Sequence, residues 1–137
     1  MNTKGTMKIL VVDDFVTMRE LISDVLRRAG YGNVIEAKNG KEALKMLKFH
    51  KVDVIISDLK MPEMNGLELL RAVRADSVLK KIPFLMTSAT ATPKIVNHAL
   101  KVGADDYLEK PFRVEALVQK VEKILEKKGS AQKYGAN

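Results

Sequence analysis

The sequence of 137 residues contains no cysteine and no tryptophan, and only 5% of its residues are aromatic. Without cysteine, the chain has no disulfide framework, no thiol nucleophile and no thiolate metal ligand. No apolar run reaches the roughly 20 residues that a membrane-spanning helix needs. The polar stretch over residues 1–7 lacks the apolar segment of a signal peptide. These absences favour a cytoplasmic protein that does not insert into a membrane.

Acidic residues are the minority among the charges, because 24 lysines and arginines outnumber 17 aspartates and glutamates and give a net charge of +7. A basic domain can bind nucleic acid. Here the lysines are dispersed through every predicted helix and do not alternate with aromatic residues that would stack on bases. We therefore expect a solvated basic surface without nucleic-acid binding. The excess positive charge favours rapid encounter with an acidic partner.

Strand-like and helix-like segments alternate five times along the chain. Three of the strand candidates are near-continuous apolar runs, which is typical of strands that helices cover on both faces. The alternation predicts an α/β fold, a doubly wound (βα)5 domain with a five-stranded parallel sheet and right-handed crossovers. The predicted strands are Lys8–Val12, Asn33–Ala37, Val52–Ser57, Pro83–Thr87 and Asp106–Glu109.

Short polar signals mark the ends of the predicted helices. A cap residue with glutamate three positions later favours a helix start, and Thr92-Pro93 places proline at the first helical position. Glycine after a helical pattern predicts its end. Starts are predicted at Thr17, Asn39, Asn65 and Thr92, and ends at Gly30, Gly103 and Gly129. The chain then divides into an N-terminal lead (1–7), one domain (8–128) and a flexible tail (129–137).

Three aspartates follow two of the predicted strands. Asp13 and Asp14 come directly after the first strand, and Asp58 comes after the third. Parallel strands that lie side by side would bring these carboxylates together at one edge of the sheet. Such a cluster repels itself and favours a bound cation. Carboxylate oxygens suit a hard ion such as Mg²⁺, so the sequence predicts a magnesium site.

Two further polar residues follow the fourth and fifth strands on the same edge. Ser88 comes after the fourth strand and Lys110 after the fifth. An aspartate can attack phosphorus to form an acyl phosphate, while a lysine offers a compact cation to phosphoryl oxygens and a serine offers a hydroxyl donor. Pro111 favours extended geometry at Lys110 and allows a cis bond. The set predicts a site for phosphoryl chemistry.

The sequence resembles a response-regulator receiver domain from about Lys8 to Lys128, and most closely the stand-alone receivers of chemotaxis. The resemblance implies a flavodoxin-like fold with strand order 2-1-3-4-5. It rests on Leu10-Val-Val-Asp-Asp-Phe15 with Thr17-Met-Arg19, Ile56-Ser-Asp58 with Met61-Pro62, Asn65-Gly-Leu-Glu-Leu-Leu70 with Arg74-Ala-Asp76, Leu85-Met86 with Ser88-Ala89, and Tyr107 with Lys110-Pro-Phe112.

The resemblance also implies a role for each acidic residue. Asp58 would accept a phosphoryl group from the phosphohistidine of a sensor kinase. Asp13 and Asp14 would form the acidic pair, with Asp14 as the more direct Mg²⁺ ligand. Asp58 and the backbone carbonyl of Lys60 would complete the protein ligands of the metal.

The switch residues follow from the same resemblance. Ser88 would move its hydroxyl onto the phosphoryl group, the Tyr107 ring would follow it, and Lys110 would contact the phosphoryl group. The signal would reach a surface on the fourth helix, fifth strand and fifth helix, where a flagellar motor switch protein would bind. That surface would include Lys94, His98, Lys101, Tyr107 and Lys120.

Other functional classes fit the residues less well. A phosphatase with an aspartyl nucleophile would need a second aspartate where Lys60 stands. A flavin-binding module would need an anion-friendly loop where Asp13 and Asp14 stand. A stand-alone receiver outside chemotaxis, or a phosphorelay intermediate, stays open because its site chemistry would be the same.

We expect a monomeric switch that catalyses only its own phosphoryl uptake and dephosphorylation, with an auxiliary phosphatase as a further candidate partner.

Two residues depart from the chemotaxis pattern. Lys60 stands where asparagine is usual, and Thr90 stands where an acidic residue is frequent. We expect both to tune how fast the acyl phosphate on Asp58 is lost, because each changes the charge near the acceptor.

Replacing Lys60 by asparagine is therefore predicted to change the lifetime of the acyl phosphate. The loss of the phosphoryl mass with time in Mg²⁺ buffer measures it. Equal decay rates for the wild type and Lys60→Asn would refute this role.

Overall fold

The computed structural model describes residues 4–134, with side chains through residue 127. Within these residues, five parallel strands form one sheet in the order β2-β1-β3-β4-β5. The strands are β1 Lys8–Val12, β2 Asn33–Ala37, β3 Val54–Asp58, β4 Phe84–Ser88 and β5 Asp106–Glu109. The helices are α1 Val16–Arg28, α2 Gly40–Leu47, α3 Gly66–Ala75, α4 Pro93–Val102 and α5 Val114–Tyr134. The predicted doubly wound fold and strand order are confirmed.

The alternating side chains of the strands fill a core on each face of the sheet. On one face, Ile9 and Val11 of β1 pack in a buried cluster with residues of α1 and α5. On the other face, Leu10 and Val12 belong to a cluster that includes residues of α2, α3 and α4. Burial on both faces explains why the strand sequences are continuously apolar rather than alternating.

Two strands end one residue later than the sequence predicted. The predictions Val52–Ser57 and Pro83–Thr87 correspond to β3 Val54–Asp58 and β4 Phe84–Ser88. Parallel pairing sets these ends, because Asp58 lies opposite Thr87, and Ser88 lies opposite Glu109. The two polar residues are therefore held inside the sheet rather than in the loops that follow it.

Three predicted helix starts are confirmed and one is wrong. The side chains of Asn39, Asn65 and Thr92 cap α2, α3 and α4, and Asn65 forms a full capping box with Glu68. The predicted cap at Thr17 is wrong, because α1 begins at Val16 after a residue that makes no side-chain cap. The Asp13 carboxylate accepts the N–H of that residue, Phe15, at 2.9 Å, so the site itself supports the turn into α1.

The helix ends show one further correction. Gly30 follows α1 and Gly103 caps α4, as predicted, and both glycines have positive φ. Gly129 does not end the last helix, since α5 continues to Tyr134. A glycine inside a helix costs only about 1 kcal/mol, which good helix formers on either side can offset. Residues 129–134 of the predicted tail are thus helical, and residues 135–137 lie outside the described part of the chain.

No helix within residues 4–134 has the length and apolar character required to cross a membrane.

Arg74, near the end of α3, hydrogen-bonds to connecting segments at the edge of the sheet where the strands begin. Its guanidinium donates to the carbonyls of Gly103, Lys80 and Ile82, with the shortest contact 2.6 Å long, to Ile82. It also pairs with Asp105 at 3.1 Å. Burial lowers the pKa of this arginine, and the Asp105 carboxylate opposes that shift. One side chain thereby satisfies backbone carbonyls on two connecting segments, the one between α3 and β4 and the one between α4 and β5.

We predict that Arg74→Lys lowers the free energy of unfolding by about 2–4 kcal/mol, because one ammonium cannot replace a forked donor and leaves carbonyls unpaired. Urea denaturation measures this change. Arg71→Lys is the matched control on the same helix, because Arg71 is exposed and its side chain hydrogen-bonds to His98 rather than to buried carbonyls, so a loss of less than about 0.5 kcal/mol is expected. Equal losses in the two variants would contradict the role of Arg74.

Candidate functional site

Three carboxylates meet at the edge of the sheet where the strands end. Asp13 and Asp14 follow β1, and Asp58 closes β3, the parallel neighbour of β1. One carboxylate oxygen from each aspartate lies within 4.8 Å of the other two. The pairing of two strands thus brings together residues that are distant in sequence.

Asp13 is fully buried, and hydrogen bonds hold it on several sides. Its backbone N–H donates to Ala37 O at 3.1 Å, and its carbonyl accepts from Arg19 Nη1 at 2.7 Å. Its carboxylate accepts from the Phe15 N–H and from Lys110 Nζ, the latter at 2.8 Å. This carboxylate is therefore fixed in place before any ligand binds.

Asp58 is largely buried, with 13% of its side chain exposed. Its Oδ1 atom accepts the Leu59 N–H at 3.0 Å and lies 3.3 Å from Lys110 Nζ. Burial raises the pKa of Asp58 above its ordinary value, Lys110 opposes the shift, and Asp13 adds to it. The Asp58 carboxyl group is thus poorly solvated and lies close to a second acidic group, that of Asp13.

Gly66 allows α3 to begin against the backbone of Asp58. Its N–H donates to Leu59 O at 2.8 Å. A Cβ atom at this position would collide with the carbonyl oxygen of Asp58 and would lie 2.9 Å from Met86 Sδ. Only glycine lets the helix approach the acceptor strand so closely.

Lys110 reaches from the end of β5 into the acidic cluster. Its ammonium lies between the carboxylates of Asp13 and Asp58, and only 13% of its side chain is exposed. Its backbone N–H donates to Ser88 O at 2.8 Å, and its bond to Pro111 is cis. The Lys110 side chain thus points out of the strand end and contacts Asp13 and Asp58.

The cluster keeps an excess of negative charge. Three carboxylates face the single ammonium of Lys110, so two negative charges remain uncompensated when all groups are ionised. Asp14 is exposed and, within the described residues, forms no ion pair. A divalent cation with oxygen ligands matches both this charge and this donor set. The residues present therefore fit Mg²⁺.

An open cleft of about 570 Å³ lies beside Asp14. The Lys60 side chain lines it and is exposed, and among residues 4–134 it makes no ion pair with the three aspartates. Its ammonium therefore does not pair with the acidic cluster here, and its effect on phosphoryl loss stays a prediction. The lining consists of Asp14, Leu59, Lys60, Met61, Pro62, Asn65 and Leu67.

The two predicted switch residues converge on a single backbone oxygen. The Ser88 hydroxyl donates to Thr90 O at 2.9 Å, and the Tyr107 hydroxyl donates to the same atom at 3.0 Å. Ser88 Oγ in turn accepts the Thr90 N–H at 2.9 Å. The Tyr107 ring is buried, and burial raises the pKa of its hydroxyl. Thr90 thus links the two side chains through its backbone, whereas the sequence suggested a role for its side chain.

The predicted partner face is only partly an exposed surface. Lys94, His98 and Lys101 are exposed along one side of α4 and line a shallow groove. Tyr107 is 7% exposed, so little of it is accessible. Lys120 of α5 pairs with Asp106 of β5 at 3.0 Å. That this face binds a partner remains a prediction.

Sequence reasoning assigned no function to Arg19, which supports the site from α1. Arg19 Nε pairs with Glu36 Oε1 at 3.0 Å while its Nη1 holds the Asp13 carbonyl. A basic residue one turn into the helix that follows the acidic pair is a weak sequence signal. The pairing of β1 with β2 is what brings Glu36 within reach.

The fold and this acidic site define the class of protein, which is a signalling receiver domain. The chain matches the family model of the response regulator receiver domain over residues 9–122 and belongs to that family.

Within the family, the chain is CheY-like. It is 46% identical over 121 residues to the chemotaxis protein CheY of Pseudomonas aeruginosa, covering 88% of this chain and 98% of that protein. It is 43% identical to the chemotaxis protein CheY-3 of Vibrio cholerae, covering 88% of this chain and 93% of that protein.

Solved structures agree with this assignment. The chemotaxis response regulator CheY4 of Vibrio cholerae has a TM-score of 0.80 and 39% identity, covering 86% of this chain and 98% of its own. The receiver domain of the Francisella response regulator 1452 has a TM-score of 0.83 and 31% identity, covering 90% of this chain and 99% of its own.

We predict that Asp58→Asn raises the melting temperature in metal-free buffer at neutral pH by a few degrees. The folded-state pKa of Asp58 lies above its unfolded value, so the ionised carboxylate lowers stability above the folded pKa. That penalty disappears as the pH falls below the unfolded value, and the two proteins should then converge. Differential scanning calorimetry across pH measures both effects.

The exposed Asp24 of α1 supplies the control, since Asp24→Asn should leave the melting temperature almost unchanged. Mg²⁺ at tenfold its dissociation constant should stabilise the wild type by about 1.4 kcal/mol, and Asp58→Asn by less. A metal-free Asp58→Asn protein that melts below the wild type would contradict the repulsion argued here.

Proposed function

We propose that this protein is a phosphorylation-activated switch whose Asp58 receives a phosphoryl group from the phosphohistidine of a sensor kinase, with Mg²⁺ as cofactor. An Asp58 oxygen would attack the phosphorus, the phosphorus–nitrogen bond would break, and the electron pair would return to the imidazole. The observation that carries the proposal is the poorly solvated Asp58 carboxylate beside Asp13, Asp14 and Lys110.

Each residue of the cluster has a separate task in this proposal. Asp13, Asp14, Asp58 and the Lys60 carbonyl would hold Mg²⁺, which neutralises charge on the transferring group. Burial of Asp58 strips water from the attacking oxygen and makes it more reactive. Lys110, already 3.3 Å from that oxygen, would donate to the phosphoryl oxygens.

The response would run through the hydrogen bonds on Thr90. A phosphoryl group on Asp58 offers the Ser88 hydroxyl a charged acceptor, which is stronger than the neutral Thr90 carbonyl. Movement of Ser88 would leave Tyr107 as the remaining side-chain donor to that carbonyl. The two hydrogen-bond arrangements supply the two states whose populations phosphorylation shifts.

The output surface in this proposal is the face of α4, β5 and α5, formed by Lys94, His98, Lys101, Tyr107 and Lys120. Its target is a flagellar motor switch protein, which the chemotaxis relatives support. The exposed cations of α4 would steer an acidic partner. Lys60 and Thr90 would set the decay rate, with or without an auxiliary phosphatase.

The second candidate is a stand-alone receiver outside chemotaxis or a phosphorelay intermediate. Its site chemistry would be the same, so the site supports this candidate and the chemotaxis candidate equally. In either case the protein acts as a switch of the receiver class rather than as a classical enzyme. A monomeric state, a cytoplasmic location and catalysis of its own dephosphorylation belong to the proposal.

The test combines phosphoryl uptake with target binding. Acetyl phosphate with Mg²⁺ should add one phosphoryl mass to the wild type, and EDTA or Asp58→Asn should abolish the addition. The phosphorylated wild type should then bind a motor-switch fragment at least about tenfold more tightly than Asp58→Asn, a difference of about 1.4 kcal/mol.

The control and contrary outcomes separate the candidates. Asp24→Asn should behave as the wild type in both measurements. Phosphoryl uptake without a change in motor-switch affinity would exclude the chemotaxis target, and transfer of the group to a histidine phosphotransfer domain would favour the phosphorelay. Mass addition to Asp58→Asn would exclude Asp58 as the sole acceptor.

A further inference from the structure

A second surface lies on the opposite edge of the sheet, where the strands begin. The segments that lead into β3 and β4 enclose a groove of about 520 Å³. Its floor includes Leu47 and Val52, which are buried, and Leu79 and Ile82, which are partly buried. The groove therefore has an apolar base that the fold leaves open to solvent.

Two side chains on this groove are unusually exposed. Phe49 is 82% exposed and Val78 is 83% exposed, whereas the other exposed large apolar residues among those described range from 41% to 62%. Both line the same groove. Exposed apolar area costs roughly 25 cal/mol per Å² relative to burial. The concentration of such area in one concave place is typical of a binding surface.

Hydrogen-bonded turns hold these two residues outward. The Phe49 N–H donates to Met46 O at 3.0 Å as α2 ends. The Asp76 carboxylate accepts the Val78 N–H at 2.7 Å and the Leu79 N–H at 3.0 Å. Both side chains are thus presented by ordered backbone, so burying them in a partner would require little ordering of the loops.

The charged residues that line the groove are all basic. Lys48, Lys51 and Lys81 line it and are exposed, and none of its lining residues is acidic. Within residues 4–134, none of these three lysines forms an ion pair, so their ammonium groups are available to a partner. An occupant of complementary chemistry would bring carboxylates to the rim and bulky apolar side chains to the floor.

We propose that this groove docks an acidic segment of another protein, with leucine or phenylalanine side chains inserted between Phe49 and Val78. Lys48, Lys51 and Lys81 would pair with the carboxylates that flank those side chains. The surface is distinct from Asp58 and from the face of α4, β5 and α5, because it lies before the strands rather than after them. A partner held here leaves both regions accessible, so binding is independent of phosphorylation.

The test uses a fluorescent synthetic peptide in which aspartate and glutamate alternate with leucine and phenylalanine. Its affinity is measured by fluorescence anisotropy, and its position by the amide chemical shifts of the labelled protein. Phe49→Ser with Val78→Ser should weaken binding at least tenfold. Lys51→Glu with Lys81→Glu should weaken it similarly and should reduce its dependence on salt. The shifts should centre on residues 47–52 and 78–82.

Matched variants control for lost apolar area and altered charge. Leu21→Ser with Val114→Ser removes apolar side chains that are 47% and 50% exposed elsewhere, and Lys123→Glu with Lys127→Glu makes the same charge change on α5. These variants and Asp58→Asn should bind the peptide as the wild type does. All groove variants should retain normal phosphoryl uptake, which shows that they fold.

Three results would overturn the proposal. The first is an absence of peptide binding, and the second is binding that the groove variants leave unchanged but that Lys94→Glu with Lys101→Glu abolishes. The third is a wild type that binds phosphatidylglycerol vesicles but not the peptide, together with loss of the vesicle binding in Phe49→Ser with Val78→Ser. That last outcome would assign the groove to a membrane surface. A failure of phosphoryl uptake in the wild type would refute the proposed switch but would leave this groove untouched.

Discussion

The repulsion among three carboxylates at one edge of the sheet is the constraint on which the rest of the site depends. Asp13 and Asp58 are kept close by the pairing of β1 with β3, and Lys110 offsets only part of their charge. Burial deepens the conflict, since it raises the pKa of Asp58 while backbone hydrogen bonds prevent Asp13 from moving away. The site therefore carries an excess of negative charge that a divalent cation would compensate.

Aspartate plays a different part at the other edge of the sheet. Asp53 accepts the Lys8 N–H at 2.8 Å, and Asp105 accepts the Phe84 N–H at 2.8 Å while it pairs with Arg74. These carboxylates complete the hydrogen bonding of strand starts and add to stability. The same residue type thus stabilises the edge where strands begin and creates unsatisfied charge where they end. A well-bonded sheet between the two edges allows the second arrangement to persist.

Much of this arrangement was predictable because it follows local patterns. Buried strands next to aspartates predicted the acidic cluster, and polar caps such as Asn65 predicted where helices begin. The prediction failed at Thr17 and at Gly129, where a local signal competed with other forces. The turn after β1 is held by the Asp13 carboxylate, and helix formers outweigh one glycine in α5. A local signal decides where a helix begins or ends only when no stronger interaction of the neighbouring residues competes with it.

The sequence by itself determined the alternation of strands and helices, the edge on which the site lies and the chemical type of its residues, because these depend on periodicity and on which residue follows each strand. Only the tertiary structure decided which residues that are distant in sequence form hydrogen bonds with one another. Arg19 reaches Asp13, and Ser88 and Tyr107 meet on Thr90, because parallel pairing and helix packing bring distant backbone atoms within hydrogen-bonding distance. Such distances of about 3 Å are set by three-dimensional packing, which residue spacing along the chain does not encode.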